Sequence, residues 1–169
     1  TPGVDATTGS LGQGITRAAR QGNALKLEGS DQYVYAIVGD GELNEGQCWE
    51  AFQFIANYRL NRVVVMIDLN KRQLDGYTRD VMEPFDVAAK MQAFGFRVRT
   101  AAGADEADIA DCLDWARSVE GQAVCIVLDT VKGQGVPYFE QMADNHSVKF
   151  KEADIAAVDA ALERLDALC

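Results

Sequence analysis

Three apolar runs, residues 33–38, 62–68 and 123–130, carry no alternation of polar and apolar positions. Strands buried on both faces read this way. A shorter run, 96–100, reads as another strand. Between the runs the periodicity becomes helical. Trp49, Phe52 and Ala56 make 45–59 amphipathic, with Asn44 as the expected N-cap and Gln47 three residues on in a capping-box variant. A second helix is expected to begin at Met82-Glu83-Pro84-Phe85, to turn Val87, Met91 and Phe94 inward, and to end at Gly95. Residues 105–119 put Ile109, Cys112, Leu113 and Ala116 on one face, and Ile155, Val158, Leu162, Leu165 and Leu168 mark a terminal amphipathic helix. Ahead of the first strand, residues 7–14 (Thr-Thr-Gly-Ser-Leu-Gly-Gln-Gly) open a helix running to about Leu27. Residues 131–150 have no periodicity and form a long loop, a kind of segment often functional in a compact domain. The alternation predicts a three-layer α/β/α domain with a central, mostly parallel sheet. That domain is expected to fill residues 1–150, with the helix at 151–169 belonging to it.

At 169 residues the chain has room for one sizeable core, and its 48% apolar and 25% charged residues are ordinary for a globular protein. The formal charge of −10 changes the picture more. It speaks against nucleic acid, which calls for a basic face, and against an anionic membrane surface. No apolar run approaches the roughly 18 residues of a membrane span, and no signal peptide is recognisable. Cys48, Cys112, Cys125 and Cys169 form no C-x-x-C pair and are read as buried or inert thiols of a cytoplasmic protein. The opening Thr1-Pro2-Gly3-Val4 lacks a Met and reads as the inside of a turn, so the protein is expected to begin upstream.

Candidate chemistry concentrates in residues 33–77. The first strand ends in Gly39-Asp40-Gly41 and the second in Asp68-Leu69-Asn70, followed by Leu74-Asp75-Gly76. A parallel strand–helix–strand unit of this length sets Asp40 and Asn70 side by side at the carboxyl edge, where open α/β sheets bind ligands. Both offer hard oxygens, suited to Mg²⁺ or Ca²⁺. Taken alone, Gly-Asp-Gly after a strand is equally a turn with a solvated aspartate. The glycine-rich loop at 7–14 is either a ligand-approach loop at a helix N-terminus, which favours anions, or a plain connector. It matches neither the P-loop nor the dinucleotide fingerprint.

Together the motifs are more specific. Gly39-Asp40-Gly41-Glu42-Leu43-Asn44-Glu45-Gly46-Gln47, then Asn70-Lys71-Arg72-Gln73-Leu74-Asp75-Gly76, resemble transketolase, as do Thr8-Gly9-Ser10-Leu11-Gly12-Gln13-Gly14 and Thr130-Val131-Lys132-Gly133 with a later histidine. The resemblance covers the chain up to the terminal helix and implies thiamine diphosphate and Mg²⁺ as cofactors. It implies Asp40, Asn70 and the Arg72 carbonyl as metal ligands, with two diphosphate oxygens and a water completing the shell. Gly39 and Gly41 would let the diphosphate approach, Gly9 and Leu11 would line the ring region, and Leu74 would pack on the thiazolium. Glu45 matches an acid linking paired cofactor sites, and His146 a histidine near the diphosphate and substrate channel. Both are the implied catalytic residues. On residue type alone His146 is as well explained as a loop histidine bonded to backbone.

The implied activity is transfer of a two-carbon ketol group from a ketose phosphate to an aldose phosphate. The family's upstream histidines and its pyrimidine-binding domain lie outside this chain. A split enzyme is therefore expected, with a C-terminal, pyrimidine-binding transketolase subunit as partner and self-association of the assembly, a truncated piece of a longer chain being the other reading. Leu69, Asp144-Asn145 before His146 and Ser147-Val148 after it depart from the family pattern. Two other readings compete: the E1 subunit of a 2-oxoacid dehydrogenase, against which Glu42-Leu43-Asn44-Glu45-Gly46-Gln47 speaks, and a non-catalytic interaction subunit.

Overall fold

A computed structural model describes residues 2–142 and 145–167. Four strands, β1 (Val34–Gly39), β2 (Val63–Leu69), β5 (Arg97–Ala102) and β6 (Val124–Asp129), form one sheet in the order β1-β2-β6-β5. All three pairings are parallel. A two-residue antiparallel hairpin, β3 (Arg72–Gln73) and β4 (Gly76–Tyr77), stands apart. The helices are α1 (Gln13–Leu27), α2 (Gly46–Asn57), α3 (Thr78–Val81), α4 (Val87–Ala93), α5 (Glu106–Ser118), α6 (Pro137–Glu140) and α7 (Glu152–Asp166).

The layers follow from the alternation of side chains along each strand. Val63, Val65 and Ile67 of β2 point into a core with Ile15 and Ala19 of α1, Phe52 and Ile55 of α2, and Met91 of α4. Val64, with Val124 and Ile126 of β6, points into the opposite core, against Cys112 and Ala116 of α5. Helices thus cover both faces. The aromatics of α2 serve the core, as expected: Trp49 lies 5.6 Å from Phe52 and 5.3 Å from Phe94. Cys48, Cys112 and Cys125 are buried free thiols, and burial pushes the Cys48 thiol up to about 12. Cys169 lies outside the described residues. No helix among the described residues is long and apolar enough to cross a membrane.

Several expectations give way. β1 is covered fully on one face only, because α5 packs on β5 and β6 and meets β1 through Arg117 on Tyr35; Ile37 is 70% exposed. The helix expected from residue 82 starts at Val87: Phe85 takes φ 52° and Asp86 caps by accepting the Ala89 N–H at 2.8 Å. Asn44 does not cap α2. Residues Gly41–Asn44 form a 3-10 turn, Glu45 holds the N-cap position, and the Asn44 amide donates instead to Gln73 Oε1 at 3.1 Å. The loop at 131–150 contains α6, and a short α3 precedes residue 82. In α7, Ile155, Leu162 and Leu165 are exposed, Val158 is half-buried, Ala161 and Asp154 are buried, and Arg164 donates to the Gly135 carbonyl at 3.2 Å. Leu168 lies outside the described residues.

Gly22 marks where α1 comes closest to the sheet. A Cβ built there would stand 2.1 Å from Val63 Cγ2, a branched and fully buried side chain that is stiff about its first torsion. Gly22→Ala should therefore destabilise the chain by about 1–3 kcal/mol through overpacking, outweighing the gain of roughly 1 kcal/mol in helix propensity. Urea midpoints measure it, and a higher midpoint for the variant would refute the close packing.

Candidate functional site

The register of the first two strands builds the site. Gly39 stands opposite Asp68, and the Asp40 N–H donates to the Asp68 carbonyl at 3.1 Å, so the two chain ends leave the sheet together. Asp40 is only 1% exposed. Its Oδ1 accepts the Gly41 N–H at 2.8 Å and its Oδ2 accepts the Lys71 N–H at 2.6 Å. Burial holds the Asp40 carboxyl above its ordinary range; the amide bonds from Lys71 and Gly41 pull it down, Asp68 adds to the rise, and the charge of Lys132 opposes it.

Asn70 is held by its neighbours. Its Nδ2 donates to Asp68 Oδ2 at 2.8 Å and its Oδ1 accepts the Arg72 N–H at 3.0 Å. Thr130 donates its hydroxyl to the other Asp68 oxygen, so Asp68 is held in place to take the Asn70 Nδ2 and leaves Oδ1 on the Arg72 N–H. Lys71 adopts a left-handed φ of 64°, and its ammonium pairs with Asp129 and donates to the Thr130 carbonyl at 3.1 Å. Beyond it the hairpin β3–β4 closes over the 3-10 turn. The Arg72 guanidinium stacks 3.7 Å from the Tyr77 ring centroid, and a Cβ at Gly41 would come within 2.8 Å of Gln73 Cβ. The close approach that requires glycine at 41 is therefore that of Gln73. At Gly39 and Gly9 an added Cβ would meet nothing within 4 Å.

The glycine-rich loop joins this edge through one side chain. Glu42 Oε1 accepts the N–H of Gly12, the N-cap of α1, at 2.7 Å, and Oε2 accepts the N–H of Gly39 at 3.3 Å. Of the two readings left open for this loop neither is decided by this contact; the anion that meets the head of α1 is the chain's own carboxylate. Gly9 and Leu11 lie exposed on that loop, and Leu74 is 64% exposed at the hairpin tip. Glu45 is exposed at the start of α2. His146 is exposed, and its Nδ1 stands 2.7 Å from the Lys132 ammonium rather than on backbone. An ammonium has no lone pair, so Nδ1 is the acceptor of this contact. Asn145 Nδ2 steadies this loop by donating to the carbonyls of Lys132 and Phe139 at 3.2 and 2.8 Å. Asp144 lies outside the described residues.

Asp40, Asn70 and Arg72 are thus brought together, with Gly39 and Gly41 between them. Among the described residues no group of three or more His, Cys, Asp or Glu gathers as a metal site. The donor set that remains is one carboxylate, one side-chain amide oxygen and a backbone carbonyl, all hard oxygens. It fits a cation that takes few protein ligands and completes its shell elsewhere, as Mg²⁺ does. A buried carboxylate with a raised pKa also fits, since a divalent cation beside it offsets its desolvation. Sequence reasoning misses Glu42, Asp68, Thr130 and Lys132 as supporting residues. Asp68 and Thr130 are visible only as polar ends of apolar runs.

The family described as transketolase, thiamine diphosphate binding domain, matches residues 1–164. The chain is 37% identical over 166 residues to the 6-deoxy-6-sulfo-D-fructose transketolase subunit SqwG of Clostridium sp. (strain MSTE9), covering 97% of this chain and 60% of that protein. It is 36% identical over 165 residues to an apulose-4-phosphate transketolase subunit of Actinobacillus succinogenes, covering 98% of this chain and 58% of that one. The chain therefore spans somewhat more than half the length of these relatives. Among solved structures, transketolase from Campylobacter jejuni aligns with a TM-score of 0.83 at 26% identity, over 94% of this chain and 26% of its own.

The raised pKa of Asp40 has a sign that can be measured. The folded chain without a cation holds the Asp40 proton to higher pH than the unfolded chain, so this group costs stability above its raised value and the cost is relieved as pH falls through it. Relative to Asp40→Asn, the wild-type chain in EDTA should gain stability as pH is lowered from 7 toward the ordinary carboxylate range near ~4. Paired urea titrations at each pH decide this, and a wild type that loses ground on acidification would show that the amide bonds outweigh burial.

Proposed function

The chain belongs to the family of transketolase thiamine-diphosphate-binding domains, and from that premise we propose that it is the diphosphate-binding subunit of a split transketolase. In this reading it binds thiamine diphosphate with Mg²⁺ and works in the cytoplasm with a pyrimidine-binding partner subunit, in an assembly that pairs with a second copy of itself. The substrates are ketoses and aldoses ending in an anionic group. The relatives named for 6-deoxy-6-sulfo-D-fructose and apulose-4-phosphate support that class, as does their naming as subunits.

The observation that supports the reading is that Asp40 and the Asn70–Arg72 turn meet at the carboxyl edge of β1 and β2. When bound, thiamine diphosphate supplies the carbon nucleophile for ketol transfer. The chain's own residues bind and orient. Asp40 and Asn70 would give side-chain oxygens and Arg72 its carbonyl to the cation, with the Asn70 amide oriented by its bonds to Asp68 and to the Arg72 N–H. Gly39 and Gly9 leave backbone accessible to the ligand, while Leu11 and Leu74 offer apolar surface to its ring. Lys132 and His146 would face the anionic end, with the His146 ring available as a proton carrier. Glu45, exposed at the head of α2, would meet the second copy.

Calorimetric titration of thiamine diphosphate with Mg²⁺ and with EDTA tests this on the assembled subunits. Binding should depend on Mg²⁺ and be lost in Asp40→Asn, a larger effect than the roughly 10–100-fold loss typical of removing a supporting residue. Wild-type binding by that variant would remove Asp40 from the metal site. Turnover of a 2-oxoacid in place of a ketose would overturn the reaction class.

A further inference from the structure

Glu42 carries no role in the function above, yet it touches both halves of the site. One carboxylate receives the N–H of Gly12, at the head of α1, and the N–H of Gly39, at the end of β1. These amides belong to segments with no other hydrogen bond between them among the described residues. The rest of the 3-10 turn is tied down from α2: the Cys48 thiol donates to the Glu42 carbonyl at 3.3 Å and the Trp49 indole N–H to the Leu43 carbonyl at 2.7 Å. Glu42 is therefore anchored at its backbone and reaches outward with its carboxylate alone.

We infer that Glu42 is a positioning residue that locks the glycine-rich loop, residues 9–12, to the Gly39–Gly41 turn, so that the ring-lining and cation-binding parts of the cofactor site form one rigid rim. The chemistry requires a carboxylate. Both partners are N–H donors, and only an acceptor at each end satisfies both. An amide in the same place accepts at one end and sets its own N–H₂ against an N–H at the other. The bonds are charge-assisted, and the one at Gly12 lies at a helix N-terminus, where a negative charge is favoured. The left-handed φ of 79° at Gly12 aims that N–H toward Glu42, and a side chain there would press on Gln47 and Glu45 at 3.3 and 3.4 Å. The inference rests on the proposed cofactor site for its functional meaning, and on these bonds alone for its structural one.

The test separates the two. Glu42→Gln keeps size and backbone contacts, while Glu42→Ala removes the brace and serves as the severe variant. Amide hydrogen exchange on the full-length protein, without cofactor, should show faster exchange confined to the peptides carrying Gly12 and Gly39 in Glu42→Gln, with the core strands unchanged. Thiamine diphosphate titrated with Mg²⁺ into the assembled subunits should then bind roughly 10–100-fold more weakly to Glu42→Gln, with Glu42→Ala no tighter. Unchanged exchange at both amides, or faster exchange spread through the core, overturns the brace. Local opening with unchanged cofactor affinity overturns its role in the site. If the wild type itself fails to bind thiamine diphosphate, the proposed function falls, and the exchange data still decide whether Glu42 joins the two segments.

Discussion

The hydrogen bond from the Lys71 amide to the buried Asp40 carboxylate closes the edge of the sheet. It links the end of one strand to the turn beyond its neighbour, and it exists only because β1 and β2 run parallel in one register. Everything else at the edge hangs from these two turns. Asp68 sits opposite Gly39, reaches Asn70 on its own turn, and takes the Thr130 hydroxyl from the end of β6. Glu42 extends the same frame to the start of α1. A carboxylate this deeply buried is costly without partners. Two backbone N–H groups offset part of that cost, and a cation would offset more.

Electrostatics at this edge are otherwise adverse to an anion. Asp40, Glu42, Asp68 and Asp129 all lie there, in a chain of formal charge −10. Lys71 is engaged with Asp129, and the helix N-terminus nearest the site is occupied by Glu42. A diphosphate entering these surroundings needs positive charge that the main chain does not supply. A divalent ion held by Asp40 reconciles acidic walls with an acidic ligand, and this is why the metal and the diphosphate belong in one hypothesis.

The sequence is most legible where chemistry sits at the end of a regular element. Three of the four sheet strands can be read from their apolar runs, and Asp40 and Asn70 follow as the residues just past two of them. Glu42, Asp68 and Thr130 are not legible, because the bonds that join separate segments, Glu42 to Gly12 and Thr130 to Asp68, span 30 and 62 residues and no local pattern marks the pairing. Local signals mislead where tertiary contacts win. Asn44 has the residue type of a cap, yet its amide is claimed by Gln73 from the hairpin. Pro84 suggests a helix start, but Phe85 turns left-handed and Asp86 provides the cap. The alternation of helices with apolar strands implies cover on both faces of the sheet, whereas α5 meets β1 through Arg117 on Tyr35 and leaves Ile37 exposed.

Lys71 shows how such a site resists improvement. Its left-handed backbone costs a non-glycine residue about 1–2 kcal/mol, and glycine would be easier there. Glycine would also release the ammonium that fastens the turn after β2 to the end of β6 through Asp129 and the Thr130 carbonyl. Selection for thermal resilience and selection for a fixed ligand cradle therefore pull this position in opposite directions. An engineer who follows a stability score alone would relax the backbone here and loosen the pocket in the same step.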